Sequence, residues 1–504
     1  MKKSHETIGA LVHRLRNERG LTQQEFSRRL KTSQSAVARI ERGEQNISVD
    51  LLQKISHALG RPILELSSGA MNFKITGGKQ LHGTVIMSTS KNATVALLVA
   101  CLLNKGVTTL ERVPRIEEVN RLLEVLASIG VKVEWLRNND LRITPPKKLD
   151  WSELDKNAGG KTRSIIMFMG PLMHLMNRFS IPYAGGCKLG TRTVRPHLFV
   201  LEAFGASIKV KNDCYEVSVP KTRVAEVVLY ESGDTVTENA LMAAAKMNGV
   251  STIKYASANY MVQDLCFFLE KLGVKIDGIG TSTLIVHGKP VIDTNVTYAP
   301  SEDPIEAMSF LSAAIVTNSS IALKRCPIDF LELELLFLEK MNFKYAMSKR
   351  YAARNGRTVL VDIQTKPSKL KAPKDNIHSR PYPGINADNL PFFVLIASVA
   401  EGRTLIHDWM YDNRAIYYTE LNKIGGRVTL LDVHRVHVDG PVAFQPSEVI
   451  TPPALRPAML ILLGMLAANG TSILRNVYSI NRGYEDVAEK LKKLGAKIEV
   501  VQEI

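Results

Sequence analysis

One helix–turn–strand pattern recurs six times in this chain after residue 71. An apolar helix ends in a short turn and leads into a strand, as in RLLEVLASIGVKVE, FFLEKLGVKIDG and EKLKKLGAKIEVV. Glycine is the usual residue at the left-handed position that ends a helix. The turn residues, at intervals of 75, 68, 69, 83 and 70 residues, are Gly130, Gly205, Gly273, Asn342, Gly425 and Gly495. Solenoid repeats run to roughly 50 residues. These longer units therefore predict small folding units, each with helices packed on a sheet.

A second kind of helix, rich in small apolar residues, precedes several of these units. Examples are NATVALLVACLLNKGVTTLERV, TENALMAAAKMNGVSTIKYA and LRPAMLILLGMLAANGTSILRNV. Small side chains allow close packing, so we expect these helices to be buried. The apolar run Pro457–Ala468 is too short to span a bilayer, and no membrane span is expected. Six units arranged three and three predict two similar lobes, with a ligand site in the cleft between them.

Length and composition set wider limits on the chain. Its 504 residues exceed what one hydrophobic core can organise, so two or three domains are expected. The net charge of +16 favours anionic partners such as nucleic acid, nucleotides or phosphorylated metabolites. An odd number of cysteines without a CxxC pair predicts reduced thiols rather than disulfides or a zinc site. With no signal peptide expected at the charged N-terminus, this favours a cytoplasmic protein. The cysteines are Cys101, Cys187, Cys214, Cys266 and Cys326.

The first seventy residues predict a bundle of short helices. Thr22 followed by Glu25 is a capping-box pattern that opens a helix, with Phe26 and Leu30 facing inward. Gly20 is placed to end the helix before it. Residues at helical spacing predict the first helix at Ile8, Leu11, Val12 and Leu15, and a fourth helix at Leu51, Leu52, Ile55 and Leu59.

The segment LTQQEFSRRLKTSQSAVARIERG resembles the phage-repressor-like helix-turn-helix family over residues 7–66. Proteins of this family insert the second helix of the motif into the DNA major groove. The resemblance implies that Gln34, Ser35 and Arg39 reach base edges and that Gln23 contacts a backbone phosphate. The alternative is a helical bundle used only for dimerisation. A helix-turn-helix domain of this kind usually binds DNA as a dimer, so a homodimer is a further expectation.

These patterns divide the chain into three parts. We predict a helix-turn-helix domain at 1–66, a linker at 67–70 and a catalytic body at 71–504, whose chain termini pair in one lobe. The body, with six repeats in two lobes, resembles the enolpyruvyl transferase family. That resemblance implies an α/β fold, the two-lobed inside-out α/β barrel. It also implies transfer of the enolpyruvyl group of phosphoenolpyruvate to a hydroxyl group, with phosphate release and without a metal or organic cofactor.

The family resemblance assigns roles to cationic and polar residues in separate repeats. Lys91 and Asn92 lie in a lysine-asparagine signature, and Arg192 follows Cys187 at the family's spacing. Arginine suits anion binding because its planar fork can hold a carboxylate or phosphate in two places. The implied phosphoenolpyruvate ligands are Lys91, Asn92, Arg192, Arg414, Arg456 and Arg482.

Three residues are implied as catalytic: Cys187, Asp388 and Lys91. Cys187 stands in the glycine-rich loop AGGCKLGTR, which resembles the family's mobile active-site loop and points to its UDP-N-acetylglucosamine-using branch. A thiol among cations has a lowered pKa, and this one would protonate the alkene carbon. Asp388, 26 residues before Arg414, would accept the proton of the sugar hydroxyl, although an aspartate before a helix is also a common N-cap. The other four cysteines are expected to be inert.

The same resemblance implies a nucleotide-sugar site and shows where this chain departs from the family. The implied residues are Asn92, Arg163, Arg192, Thr193, Val194, Arg195, Pro196, Asp388 and Met410. A family aspartate two residues before Arg456 is replaced by Ala454, and a proline-valine-aspartate run by Thr193–Arg195. Residues 231–234 read Glu-Ser-Gly-Asp, where the family has a basic residue and a serine-valine-glycine run.

Three hypotheses follow from these motifs. The leading one is an enolpyruvyl transferase acting on UDP-N-acetylglucosamine, or on a related nucleotide-sugar, in peptidoglycan precursor synthesis. The second keeps the chemistry and changes the acceptor. The third is a transcriptional regulator whose transferase-like body senses a metabolite. The altered loops favour the second hypothesis, and the DNA-binding pattern and Ala454 favour the third. The presence of Cys187 argues against the third, since binding alone needs no thiol.

Overall fold

The computed structural model describes residues 8–18, 21–30, 32–42, 51, 54–55, 58, 71–183 and 193–501. Contacts divide the chain into two compact units. One comprises residues 1–71 with 502–504, and the other comprises residues 72–501. Each unit has its own apolar core.

The described residues of the N-terminal unit include the helices α1 (Ile8–Glu18), α2 (Gln23–Arg29) and α3 (Gln34–Arg42), and Leu51, Lys54, Ile55 and Ala58 are helical as well. The predicted capping box is present. Thr22 Oγ1 accepts from the Glu25 backbone nitrogen at 3.2 Å, and Glu25 Oε2 accepts from the Thr22 backbone nitrogen at 2.8 Å. This exchange satisfies backbone donors that the start of a helix leaves unpaired. The core residues are Val12, Leu15, Phe26, Leu30, Val37, Ile40 and Ile55. Of the residues predicted to mark helices here, Gly20, Leu52 and Leu59 lie outside the described residues, as do the side chains of Ile8 and Leu11.

The larger unit contains twenty-four strands in its described residues. In chain order they are β1 (Asn72–Thr76), β2 (His82–Ile86), β3 (Thr108–Leu110), β4 (Lys132–Trp135), β5 (Leu141–Thr144), β6 (Arg178–Pro182), β7 (Ser207–Val210), β8 (Cys214–Ser218), β9 (Glu226–Val228), β10 (Val250–Lys254), β11 (Lys275–Asp277), β12 (Thr283–His287), β13 (Val296–Tyr298), β14 (Ser320–Pro327), β15 (Lys344–Met347), β16 (Tyr351–Ala352), β17 (Val359–Lys366), β18 (Ile377–His378), β19 (Gly402–His407), β20 (Val428–Leu430), β21 (Arg435–Gly440), β22 (Glu448–Ile450), β23 (Thr471–Arg475) and β24 (Lys497–Val501).

These strands form six small sheets, matching the six repeats. Their orders are β13-β3-β5-β4, β6-β8-β7, β11-β12-β10-β9, β15-β17-β14-β2, β18-β19-β21-β20 and β22-β23-β1-β24, with β16 beside β17. Each sheet is built around antiparallel pairs, and five of them carry one parallel edge pair. The strands β1 and β24, at opposite ends of this unit, pair antiparallel with Phe73 opposite Val500.

The sheets fall into two groups of three along the chain. The chain starts with β1 and β2, which join sheets of the second group, and then forms the first group between β3 and β13 before returning. Two crossing segments connect the groups and lie side by side. The Ser90 backbone nitrogen donates to Ser301 O at 2.7 Å, and that of Asp303 donates to Ser88 O at 2.9 Å. The predicted two-lobed architecture of six repeats is confirmed.

The larger unit also contains thirteen α-helices in its described residues, which continue the numbering. They are α4 (Lys91–Ala100), α5 (Glu117–Ser128), α6 (Lys156–Lys161), α7 (Met169–Leu172), α8 (Arg195–Ala203), α9 (Asp234–Ala245), α10 (Tyr260–Lys271), α11 (Pro304–Val316), α12 (Glu332–Lys340), α13 (Leu390–Ala397), α14 (Leu455–Ala467), α15 (Tyr478–Asn481) and α16 (Val487–Lys493). Short 3₁₀ segments cover Cys101–Leu103, Arg137–Asn139, Trp151–Glu153, Arg163–Phe168, Ile328–Phe330 and Arg414–Ile424.

The helices rich in small residues lie inside and the sheets lie outside, which is the inside-out arrangement. Every residue of α11 and α13 is buried, as is nearly every residue of α4, α9 and α14. The strands instead alternate between buried and exposed positions, as β12 does. Alternation is expected of a sheet that covers a core with one face. No helix among the described residues is long and apolar enough to cross a membrane.

The six turn residues adopt the left-handed backbone that their sequence predicts. The φ angle is 89° at Gly130, 105° at Gly205 and 69° at Asn342, and it is near 90° in the other three copies. Asparagine is the residue after glycine that best tolerates this region. The repeated turn therefore has one backbone geometry in all six units.

Candidate active site

A cavity of about 940 Å³ opens in the larger unit and is lined by residues from both groups of sheets. The cavity brings together many of the residues implied by the family resemblance, although they are spread over almost four hundred positions. Those that line it are Lys91, Asn92, Arg163, Thr193, Asp388, Met410, Arg414, Arg456 and Arg482. Cys187 and Arg192 lie outside the described residues. Val194, Arg195 and Pro196 are described but are not among the lining residues; they lie where α8 begins.

Lys91 and Asn92 form the start of α4, directly after its N-cap Ser90. Lys91 Nζ lies 2.7 Å from Glu118 Oε2 and 3.4 Å from Asn92 Oδ1. Asn92 Nδ2 donates to the hydroxyl of Tyr260 at 3.1 Å. These contacts fix both side chains at the cavity wall before any ligand binds.

Glu118 is a site residue that the sequence did not reveal. Burial raises the pKa of its carboxyl group, but attraction to Lys91 and Arg482 outweighs this, so that the pKa is lowered overall. The other oxygen accepts from Ser164 Oγ at 3.1 Å. In the sequence, Glu118 is distinguished only by its position at the start of an amphipathic helix. Solvent-exposed acidic residues are common at that position.

Asp388 lies between two arginines. Its Oδ2 accepts from Arg456 Nη2 at 3.1 Å, and its Oδ1 lies 3.9 Å from Arg414 Nη1. Burial raises the pKa of Asp388, but the attraction of Arg456, Arg414 and Lys91 holds it at about 2. The carboxylate is therefore ionised and paired. The N-cap of the following helix is Asn389 rather than Asp388, so capping does not explain this aspartate.

Arg414 is almost wholly buried, with 1% of its side chain exposed. Its guanidinium donates to both oxygens of Asp408 and to the carbonyl oxygen of Ala387, the last at 2.6 Å. Tyr418 donates to the same Asp408 carboxylate. Asp408, which the sequence did not reveal, thus orients Arg414 and neutralises its charge from behind, leaving one nitrogen toward Asp388.

Arg456 and Arg482 contribute the remaining cations. Arg456 lies over the ring of Tyr484, 5.2 Å from its centre. The Nε of Arg482 and the hydroxyl of Tyr484 are buried without a hydrogen-bond partner among the described residues. Unpaired buried donors are costly, and a bound anion would satisfy them. Ala454 is the N-cap of α14 and gives it no side-chain bond, whereas an aspartate could cap this helix.

The part of the cavity assigned to the acceptor is acidic. Asp234 begins α9, and its two oxygens accept from Ser257 Oγ at 2.6 Å and from Asn259 Nδ2 at 3.2 Å. Glu231 and Glu238 also line the cavity. Arg163, which also lines the cavity, donates from Nη2 to the carbonyl oxygen of Thr193 at 3.4 Å.

In the N-terminal unit, Gln34, Ser35 and Arg39 are exposed on α3, as a groove-reading surface requires. Gln23 is half-buried, and its Nε2 donates to Glu41 Oε2 at 2.8 Å. Glu41 also accepts from Arg16 in a buried pair. The Gln23 side chain thus links α2 to α3 through its hydrogen bond with Glu41.

Comparison with known proteins identifies the family. The model of the EPSP synthase family (3-phosphoshikimate 1-carboxyvinyltransferase) matches residues 75–491. This chain belongs to the enolpyruvyl transferase family. A helix-turn-helix family model also matches residues 12–66. The predicted family and enzyme class are therefore confirmed, and so is the helix-turn-helix resemblance.

Relatives in the family align along the full transferase body. The UDP-N-acetylglucosamine 1-carboxyvinyltransferase of Bradyrhizobium diazoefficiens is 33% identical, over 86% of this chain and 99% of the relative. That of Treponema denticola is 31% identical, over 84% and 98%. Among solved structures, the enolpyruvyl transferase NikO from Streptomyces tendae superposes with a TM-score of 0.74 at 22% identity, over 86% of this chain and 99% of that one. EPSP synthase from Acinetobacter baumannii gives 0.67 at 17%, over 86% and 100%. These structural matches establish the shared fold.

Proposed function

We propose that this chain transfers the enolpyruvyl group of phosphoenolpyruvate to the 3'-hydroxyl of UDP-N-acetylglucosamine, or of a related nucleotide-sugar, with release of phosphate. In the cytoplasm this reaction would serve peptidoglycan precursor synthesis. The observation that carries the proposal is the ionised Asp388 held between Arg456 and Arg414 in a cavity that Lys91 also lines. The names of the relatives support the acceptor.

The proposed reaction has two steps. In the first, the acceptor hydroxyl oxygen bonds to C2 of phosphoenolpyruvate, its proton passes to Asp388, and C3 takes a proton from Cys187. In the second, the bond from C2 to the phosphate oxygen breaks, phosphate leaves, and C3 returns a proton to the Cys187 thiolate, which restores the alkene and the thiol. Lys91 and Arg482 would hold the phosphate, and Arg414 and Arg456 the carboxylate, where charge develops.

Asp388 is a weak base while both arginines face it, because its pKa is about 2. A bound phosphoenolpyruvate would draw Arg456 and Arg414 toward its own negative charges. The pKa of Asp388 would then rise toward the range of an effective general base. The base would thus become active only when the donor substrate is in place.

The test is phosphate release by the purified full chain, with phosphoenolpyruvate and with or without UDP-N-acetylglucosamine. Sugar-dependent release is expected, and Asp388→Asn should lower its rate by about 10²–10⁴-fold. Cys187→Ala serves as the second variant and should also fail. Phosphate release that does not depend on the sugar, or that persists in both variants, would contradict the assigned roles.

We further propose that residues 1–66 bind DNA through Gln34, Ser35 and Arg39, with Gln23 at a backbone phosphate. The match to the helix-turn-helix family and the exposure of the three α3 side chains support this function. Selection of duplexes from random DNA by the full chain, followed by gel shift at two salt concentrations, tests it. No enrichment of any sequence would favour the alternative, a helical bundle used only for dimerisation.

The acidic Glu231–Asp234 segment favours a second candidate, the same chemistry on a different acceptor. A metabolite-sensing regulator is the third, with Ala454 as its support. A folded chain that binds DNA in response to the nucleotide-sugar but releases no phosphate would favour the sensor.

A further inference from the structure

Three carboxyl groups form an acidic wall in the acceptor part of the cavity: Glu231, Asp234 and Glu238. Glu231 precedes α9, Asp234 is the first residue of α9, and Glu238 lies on its second turn. The start of a helix carries partial positive charge and ordinarily favours a phosphate. Here acidic side chains already occupy that position, and Glu231 Oε1 lies within 2.9 Å of where a side chain on Gly233 would begin.

The acidic wall has no cationic partner in the described part of the chain. Several cations that line the cavity pair with other acids, as Lys91 does with Glu118 and Arg456 with Asp388. No described lysine or arginine lies within salt-bridge distance of the three acids. Three carboxyl groups without a cation are thus concentrated in a part of the cavity that the resemblance assigns to nucleotide contacts.

Glu238 is the member of this wall that most clearly lacks a ligand. Its side chain lines the cavity, only 2% of the residue is exposed, and its Oε1 is buried without a hydrogen-bond partner in the described structure. Burial, followed by repulsion from Asp234 and Asp264, raises the pKa of Glu238 well above its usual value. A buried carboxyl group left unpaired is destabilising, and a cation placed beside it would remove that cost.

The side chains that line this part of the cavity indicate which kind of cation would bind there. Among the described residues, no group of three or more His, Cys, Asp and Glu side chains is placed to hold a metal ion. Tyr230 precedes Glu231, lines the same cavity and is 56% exposed. Its ring packs edge-on against Phe199, with 5.3 Å between the ring centres, and aromatic faces attract ammonium groups. An unpartnered carboxyl oxygen in a cavity without a cluster of metal ligands among the described residues favours an organic ammonium group over a metal.

We infer that the acceptor carries a free, protonated amino group, bound by Glu238 and Asp234, in place of the neutral acetamide of N-acetylglucosamine. This inference rests on the proposed enolpyruvyl transfer and narrows its acceptor to an amino-sugar nucleotide. The ammonium group donates to the unpartnered Glu238 oxygen and favours the ionised form of that carboxyl group, which burial otherwise disfavours.

UDP-glucosamine and UDP-N-acetylglucosamine differ only in this group and are the probes. Each is titrated calorimetrically into the full chain and assayed for phosphate release with phosphoenolpyruvate, at about pH 6.5, below the pKa of ordinary amines. The amino form is expected to have at least a tenfold lower Kd and KM. Glu238→Gln should lower that ratio at least fivefold, while the control Glu226→Gln, an exposed carboxyl on β9 outside the cavity, should leave it unchanged.

The outcomes separate the two proposals. Phosphate release with equal or better use of the acetylated sugar, and no effect of Glu238→Gln on the ratio, would overturn the ammonium site and leave the transferase intact. Tighter binding of the amino form that Glu238→Gln abolishes, without phosphate release, would support the ammonium site and contradict the transferase. Circular dichroism and Tm of Glu238→Gln show whether the variant is folded.

Discussion

At the scale of single residues, the candidate site consists of charges held in place by other charges. Arg414 is presented to the cavity by Asp408 and Tyr418, and Lys91 by Glu118. Asp408 and Tyr418 lie behind Arg414, outside the cavity lining, whereas Glu118 lines the cavity beside Lys91. The cations are therefore oriented before substrate binds, which lowers the reorganisation needed during reaction.

Removing Asp408 should be far more destabilising than removing Asp439, a partly exposed acid that also pairs with an arginine. Asp408→Ala would leave Arg414 buried without its main ion-pair partner, at a cost of about 3–5 kcal/mol. Asp439→Ala breaks the ion pair with Arg403, which is 63% exposed, and should cost less than about 1 kcal/mol. Denaturant unfolding of both variants measures the difference. Similar losses would mean that Asp408 does not neutralise Arg414.

At the scale of elements, the helix–turn–strand unit depends on its left-handed residue. Gly130 and Gly205 occupy the same turn in successive repeats, with φ of 89° and 105°. A side chain on Gly130 would meet only Pro146, at 3.6 Å, whereas one on Gly205 would come within 2.2 Å of the Lys221 carbonyl oxygen. A side chain would meet the same backbone strain in both turns, but the space available for it differs.

Substitution of these two glycines by alanine distinguishes the cost of backbone strain from the cost of a steric clash. Gly130→Ala should cost about 1–2 kcal/mol, the strain of the left-handed region alone. Gly205→Ala should cost clearly more, because the backbone around Lys221 must move. The shift in Tm of each variant measures this. Equal shifts would show that the backbone around Lys221 adjusts freely.

Two helices of the first lobe are joined by a buried histidine, which gives the fold a pH dependence. His197 on α8 contacts Asn239 on α9, with 3.1 Å between Nδ1 and Nδ2. Burial, with repulsion from Arg163, lowers the pKa of His197 to about 3. In the unfolded chain the pKa is near that of free histidine, about 6.5.

This stabilisation is therefore complete above about pH 6.5 and is lost as pH falls toward 3, because only the unfolded chain takes up the proton. Its loss amounts to about 1.4 kcal/mol per pH unit. His197→Gln should reduce the slope of unfolding free energy against pH between about 6 and 4 by this amount. The measurement is urea unfolding at several pH values, and an unchanged slope would contradict the burial of a neutral imidazole.

At the scale of the whole molecule, one chain combines a transferase body with a helix-turn-helix unit, and each has a separate core. The proposed functions of the two units use different residues. Arg39→Ala should weaken binding to a selected DNA duplex about tenfold, as loss of one base contact does. It should leave kcat/KM for phosphate release unchanged. A fall in kcat/KM would reveal that the units are coupled.

Local patterns in the sequence were sufficient to predict the repeats, the buried small-residue helices and the capping box at Thr22. Each depends on residues within a few positions, where helix periodicity and turn chemistry act. The glycine and asparagine turns were likewise predicted, because their left-handed backbone is a property of one residue. The family resemblance supplied candidate roles for Lys91, Asp388 and Arg414, which remain predictions.

Only the tertiary structure places Asp408 behind Arg414 and Glu118 beside Lys91, and only it shows Glu238 without a partner. These contacts join segments separated by a few residues to several dozen, or depend on what is missing around a buried group. The pKa of Asp388 likewise depends on arginines from two other segments. Electrostatic environment is set by distance and burial in the folded chain, and neither is encoded in local periodicity.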